Sequence, residues 1–356
     1  MMSIARRLLL RVKGPVWRAV MRVTISVAGL LCISLTSATH SLDGRFTSGN
    51  SALAIPFDLD ANNNIYLLVR VNGSRPVFFM LDTGASHNVL SLALAKSLGM
   101  KVEPAGTTID ATGAEPQDVY LVLGTTTFAL PGLTFSDDTA VAISLDKMRD
   151  CAKQANYDER GQRLSRDQRV KRESNIIVDG ILGRKFFDTF VVEIDYAARL
   201  INVYDPLEYE YKGSGKILPL EMDRRFLFVR AQVNAPGGPA VTARLIVDTG
   251  SASVLMLTKQ FTDKHKLLPS VEKLTASTAC GVGGYEKEQR WVGTLETLQL
   301  GSLKLTNPLT VFFQKSGAED YDGYLGDSAL KNFDVIFDCS RRRMVLERPL
   351  SNQRIR

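Results

Sequence analysis

Histidine is scarce in this chain: only His40, His87 and His265 occur, far apart from one another. That excludes a zinc constellation built on imidazole, and no metal or other cofactor is expected. No Ser-His-Asp order and no nucleophile elbow are present. His87 directly follows a motif described below and reads as a supporting or surface residue. Cysteine is nearly as rare. Cys32 lies in an N-terminal apolar run, which leaves Cys151, Cys280 and Cys339. Three is odd, so at least one thiol is free or intermolecular, and no disulfide framework is implied. Their spacing matches no metal site. Helical heptads and dinucleotide-binding glycine spacing are absent as well.

Acidic residues are missing from the N-terminus until Asp43, while Arg6, Arg7, Arg11, Lys13, Arg18 and Arg22 are all basic. An uncharged run over residues 23–38 follows. A basic region, an apolar stretch and a small residue at its end describe a secretory signal over residues 1–38, with Thr36-Ser37-Ala38 suited to cleavage. The expected location is exported, periplasmic or secreted. The alternative is a membrane anchor formed by residues 23–38, which are near the short limit for a span. Leu31 precedes Cys32 where a lipidation site wants a small residue, so Cys32 is not read as a lipoprotein cysteine. The chain carries a formal charge of +6, and six positive charges lie in residues 1–22, leaving the remainder near neutral. No nucleic-acid partner is therefore expected.

What the chain does have is a repeated unit. Residues 78–86 read FFMLDTGAS and residues 244–253 read RLIVDTGSAS. Each is an apolar, strand-like run ending in Asp-Thr-Gly, centred on Asp82 and Asp248. Asp179-Gly180-Ile181-Leu182-Gly183 follows the first, and Asp322-Gly323-Tyr324-Leu325-Gly326 follows the second. After Gly183 come Phe190 and Asp195, and after Gly326 come Phe333 and Asp338, at the same offsets. One unit has been duplicated.

Asp-Thr-Gly-Ala/Ser with a later apolar-Leu-Gly element resembles the aspartic proteases of the retropepsin-like and pepsin-like kind, in a bacterial-type bilobal form. The resemblance covers residues 50–350. It implies an all-β fold of two homologous β-barrel lobes related by a pseudo-two-fold axis, over residues 51–206 and 216–350, with Asp82 and Asp248 catalytic. It also implies that Thr83 and Thr249 bind each other's backbone, that Gly84 and Gly250 leave room and donate amides, and that Ser251 bonds Asp248. The implied substrate is an extended peptide or protein segment, and the expected form is a monomer. Two alternatives stay open: a catalytically silent peptide-binding protein of the cell envelope, and a homodimer in which each lobe pairs with a copy from another chain.

In chain order, residues 65–71 and 76–81 read as strands joined at an Asn72-Gly73 hairpin turn. Residues 91–98 read as a helix capped by Ser91 and stopped by Gly99. By resemblance, residues 107–118 form a mobile flap with its tip at Thr112 and Gly113; no aromatic residue lies there, unlike the pepsin flap. Asp110, in the string DATG, has no apolar strand behind it and is discounted. Strands are expected over 119–129, 139–144 and 191–203. Residues 146–175 are highly charged and read as an inserted surface loop, because Gly183 lies 101 residues after Asp82 and Gly326 only 78 after Asp248. In the second lobe, strands are expected over 226–233, 243–247, 295–305 and 309–313, with a helix over 258–267. The second flap candidate spans 278–287, with Gly283, Gly284 and Tyr285 as its functional residues.

If the two motif strands meet, two carboxylates lie too close for both to ionise, so they share a proton. The ionised acid then serves as general base for a water, and the protonated one polarises the peptide carbonyl.

Overall fold

The structure, a computed structural model, describes residues 44–60, 63–109, 116–148, 150, 177–268, 274–277, 280–285, 290–315 and 320–348. The expectations for residues 1–38, Asp110, Thr112, Gly113 and most of the 146–175 insertion therefore lie outside the described residues. Among the described residues no helix is long and apolar enough to cross a membrane.

The class is all-β. One sheet orders Gly44–Phe46, Leu133–Asp137, Thr126–Leu130, Ile65–Val71, Val77–Leu81, Val178–Leu182, Val89–Ser91, Val141–Ile143, Gln117–Val122 and Val102–Ile109. A second sheet orders Thr275–Ser277, Arg290–Thr294, Leu309–Phe312, Leu255–Leu257, Gly323–Gly326, Val241–Asp248, Leu227–Asn234, Thr297–Leu300 and Leu303–Thr306. Read from opposite ends, the two orders correspond strand for strand from Leu133–Asp137 onward. In each, the motif strand pairs in parallel with the later Gly-containing strand, Leu81 opposite Leu182 and Asp248 opposite Gly326. The duplication read from the motifs is thus repeated in the topology.

A six-stranded sheet joins the halves, in the order Lys216–Pro219, Arg343–Glu347, Asp334–Asp338, Val191–Asp195, Leu200–Tyr204 and Ser51–Pro56. At its centre Glu193 faces Ile336, with Val192 opposite Phe337 and Ile194 opposite Val335. Glu193 and Ile336 hold the same place in their repeats, ten positions after Gly183 and Gly326, so the pseudo-two-fold axis runs through this pair. Two antiparallel strands of equal sequence position can pair about their own midpoint, which makes the junction self-complementary. Behind it Phe187 meets Phe337 edge to face at 5.2 Å, one ring from each half.

Local chemistry sets the small elements. Ser91 caps the helix Leu92–Ser97, accepting from the Leu94 amide at 3.1 Å, and Gly99 takes φ +67° behind it. Thr258 caps Lys259–His265 in the same way. Asn72 and Gly73 both take positive φ, as the tight hairpin requires.

Several expected strands are broken. The run 119–129 splits at Gly124, φ +88°, and 295–305 splits at Gly301, φ +59°. The run 191–203 turns at Arg199, φ +56°. Apolar content carried those runs in sequence, whereas a left-handed residue reverses the chain whatever its neighbours. Leu133–Asp137 is a strand that the pattern did not flag. The first lobe also begins before Ser51: Gly44–Phe46 pairs with Leu133–Asp137, and a Cβ on Gly44 would meet the Phe190 ring at 2.2 Å.

Candidate active site

Each motif aspartate stands at the end of a buried strand. Val77–Leu81 is almost wholly buried and delivers Asp82; Val241–Asp248 delivers Asp248. The threonines then lock the two ends together. The Thr83 amide donates to Thr249 Oγ1 at 3.0 Å, and the Thr249 amide donates to Thr83 Oγ1 at 3.0 Å. The Thr83 hydroxyl donates to the Val247 carbonyl at 2.7 Å, and that of Thr249 to the Leu81 carbonyl at 2.9 Å. Both threonines are fully buried, so these four bonds are shielded from competing water. The two motifs meet within one chain.

The glycines bring the carboxyl groups together. Gly84 donates to Asp82 Oδ1 at 2.7 Å, and Gly250 to Asp248 Oδ1 at 3.0 Å. A Cβ on Gly84 would lie 2.7 Å from Asp248 Oδ1, and one on Gly250 would lie 2.5 Å from Asp82 Cγ. Each motif glycine thus packs against the other lobe's acid, a contact no larger residue permits. The two carboxyls are near enough for each to act on the other's ionisation. Burial raises the pKa of Asp82, opposed by the Gly84 amide and by Asp248. Burial also raises Asp248, well above the ordinary carboxylate range, and the Asp82 charge pushes it further. Burial thus works against ionising both acids at once.

A family model described as aspartyl protease matches residues 67–186 and again residues 229–329, one stretch in each lobe. The chain belongs to the aspartyl protease family. No curated protein matches it significantly.

Other residues of this aspartyl protease fall differently from expectation. The Ser251 hydroxyl is engaged with Ser253 Oγ at 2.9 Å rather than with Asp248, because the chain turns at 251–253 and brings the two hydroxyls together. Ser251 instead contributes its carbonyl, to the Asp327 amide at 2.7 Å. Of the flap candidates, Gly283 and Gly284 are buried, within a two-stranded hairpin of Cys280–Gly281 and Gly284–Tyr285. His87 is exposed, and its Nδ1 lies 2.9 Å from Ser86 Oγ. Cys339 is a buried free cysteine, its thiol pushed up to about 12 by burial. An aromatic hydroxyl does lie near the dyad, on a strand rather than a flap: Tyr66, buried, bonds Asp60 Oδ2 at 3.1 Å, and the Asp82 charge helps to raise its pKa.

Two buried positions escaped the sequence reading, Arg184 and Asp327, which follow Gly183 and Gly326. Their amides bond Ala85 and Ser251 in equivalent ways, but their side chains reach into opposite lobes. Arg184 donates to the carbonyls of Asp223 at 3.2 Å and Phe226 at 3.0 Å, and to Asp188 at 2.7 Å. Asp327 accepts from the Tyr196 hydroxyl through Oδ1, while its Oδ2 is buried without a partner. The only signal in sequence was a charged residue directly after an apolar-Leu-Gly run.

Arg184→Met is expected to destabilise the protein by about 2–3 kcal/mol, because two second-lobe carbonyls lose a charged donor in a buried place. Urea unfolding measures it, and a loss below about 0.5 kcal/mol would show that this cross-lobe latch is idle.

Proposed function

We propose that the protein is an aspartic endopeptidase that hydrolyses peptide bonds with a water activated by Asp82 and Asp248. The observation that carries this reading is the packing of each motif glycine against the other lobe's carboxyl, which brings Asp82 and Asp248 together. Asp82, ionised, takes a proton from the attacking water, and Asp248, protonated, donates to the scissile carbonyl oxygen as charge develops there. The C–N bond then breaks as the proton gained by Asp82 passes to the leaving amine, and one hydroxyl of the diol returns its proton to Asp248, which restores the pair. Gly84 and Gly250 hold the carboxyls in position through their amides. Thr83 and Thr249 keep the lobes from drifting, since a small misplacement of either acid would cost much of the rate. The substrate is a peptide lying extended between the lobes, where its backbone can pair with strand edges.

The test is the pH dependence of peptide cleavage. Activity is expected to fall at low pH as Asp82 takes up a proton, and at high pH as Asp248 loses the shared one. Burial raises both, so the active window sits higher than for two ordinary carboxyls. Cleavage of a mixed peptide library followed by mass spectrometry should give a bell-shaped profile of kcat/KM. A profile with no alkaline limb would remove the shared proton from the mechanism.

A further inference from the structure

The sheet that joins the halves is symmetric in backbone and unsymmetric in charge. Its axis passes through Glu193 and Ile336, so the two ends of the strand pair Val191–Asp195 and Asp334–Asp338 are equivalent by duplication. At one end Asp338 lies opposite Arg343, which donates to it at 2.8 Å, and Arg341 adds a second contact at 3.3 Å. Across from Asp338 on the other side, continuing the register, stands Val191, a buried aliphatic. At the opposite end the same two places hold Asp195 and Asp334, and Glu347 faces Asp334 from the third strand. Three carboxyls thus form one row across three neighbouring strands, where the related row holds an acid, a valine and an arginine. Like charges directly opposite one another weaken a strand pair.

Asp334 is the member of that row with the least support. Asp195 accepts from the Ala198 amide at 2.7 Å. Glu347 accepts from the Tyr211 hydroxyl and, at 3.3 Å, from the Gly215 amide. Glu193, one row in, accepts from Tyr204 at 2.6 Å and from Asn202 at 3.1 Å. Among the described residues, Asp334 Oδ1 is buried with no hydrogen-bond partner. The charges that act on Asp334 share its sign: Asp195 and Glu193 from one neighbouring strand, and Glu347 from the other. Of the basic groups, Arg343 is engaged with Asp338, and Arg199 and Arg348 are exposed. Tyr209 and Tyr211 of the linker cover the same face, against Val191, Ile336 and Val345. Burial first, and then the three acids, push the Asp334 carboxyl from 3.8 up to about 6. The folded state therefore holds a proton that the unfolded chain releases. The stability this gives is complete below 3.8 and is lost as pH rises to about 6.

We propose that the row Asp195–Asp334–Glu347 is a pH switch in the sheet that joins the lobes: protonated, it lets this end of the sheet close, and ionised, it drives the strands apart there and slackens the joint. The switch works between acid and neutral surroundings. Because this sheet sets the distance between the halves, slackening it lets one lobe shift against the other. The joint and not the dyad carries the switch, so it stands apart from the function proposed above.

Hydrogen–deuterium exchange of the full chain, read by mass spectrometry, tests it. Wild type and Asp334→Asn are compared at equal pH, so that intrinsic exchange cancels. Asp334 is only partly buried, and water screens the row. At pH 7 the wild-type segments Asp334–Asp338 and Arg343–Glu347 are therefore expected to exchange about tenfold faster than those of the variant, short of what the full shift implies. At pH 4 the two proteins should agree, and Leu227–Asn234 in the second-lobe sheet should agree at both pH values. Asp195→Asn removes a different member of the row and should slow exchange at pH 7 as well, which keeps the test open if Asp334→Asn does not fold. Equal exchange at pH 7, or a difference as large at pH 4, would overturn the switch. An equal change in Leu227–Asn234 would assign the effect to the whole fold and overturn it too.

Discussion

Replacing either Asp82 or Asp248 by Asn should lower kcat/KM by at least about 10³-fold, with the fold intact. Positioned acid–base groups contribute on the order of 10²–10⁴ in rate, and here one pair serves as both base and acid. Asn in place of Asp82 cannot take the proton from water. Asn in place of Asp248 removes the proton that the pair shares. Because the two act as a unit, the double variant should lose little more than either single one. Neither change should unfold the protein. The Gly84 and Gly250 amides donate to an amide oxygen as they do to a carboxylate. Both acids are raised by burial, so a neutral side chain relieves a cost that grows as pH rises. The measurement is cleavage of one defined peptide by all four proteins, with thermal melts as the control. More than about a tenth of wild-type activity in either single variant would end the dyad reading.

The second large effect concerns Asp327 and is read in stability. Its carboxyl is raised from 3.8 to about 7, chiefly by burial, against the hydrogen bond from Tyr196. Folding thus holds this proton to higher pH than the unfolded chain does. The native state is favoured most when the acid is protonated in both states, below 3.8, and that advantage drains away as pH rises to about 7. Beyond it the accumulated cost is roughly 4 kcal/mol, from about 1.4 kcal/mol per pKa unit. Asp327→Asn keeps an oxygen for the Tyr196 hydroxyl and never ionises. At pH 8 the variant should be more stable than the wild type by a few kcal/mol, and near pH 4 the two should agree. Urea titrations across this range test it, and parallel pH slopes would refute it. A second readout follows, because the Asp327 charge also raises Asp248. The alkaline limb of the activity profile should move to lower pH in the variant, which a purely structural role would not do.

These two predictions differ in how legible their residues were. Asp82 and Asp248 announced themselves twice over, each behind an apolar run and ahead of Thr-Gly. Asp327 drew no notice in sequence, because its partner Tyr196 lies 131 positions earlier. Arg184 was similar: its carbonyl partners lie beyond the linker, in the other lobe. Ser251 shows the opposite error, where a residue beside the motif was expected to touch the acid and turned instead to Ser253.

Short-range pattern alone determined the all-β class, the doubling of the unit, the two motif acids and the cap at Ser91, because strand alternation, turn residues and capping are encoded within a few positions. Only the tertiary structure decided that both acids meet in a single chain, that Glu193 and Ile336 mark the axis, and that Arg184 crosses to the second lobe. Those contacts join residues far apart in sequence, and their energy exists only once both halves have folded and the bridging sheet has set their distance.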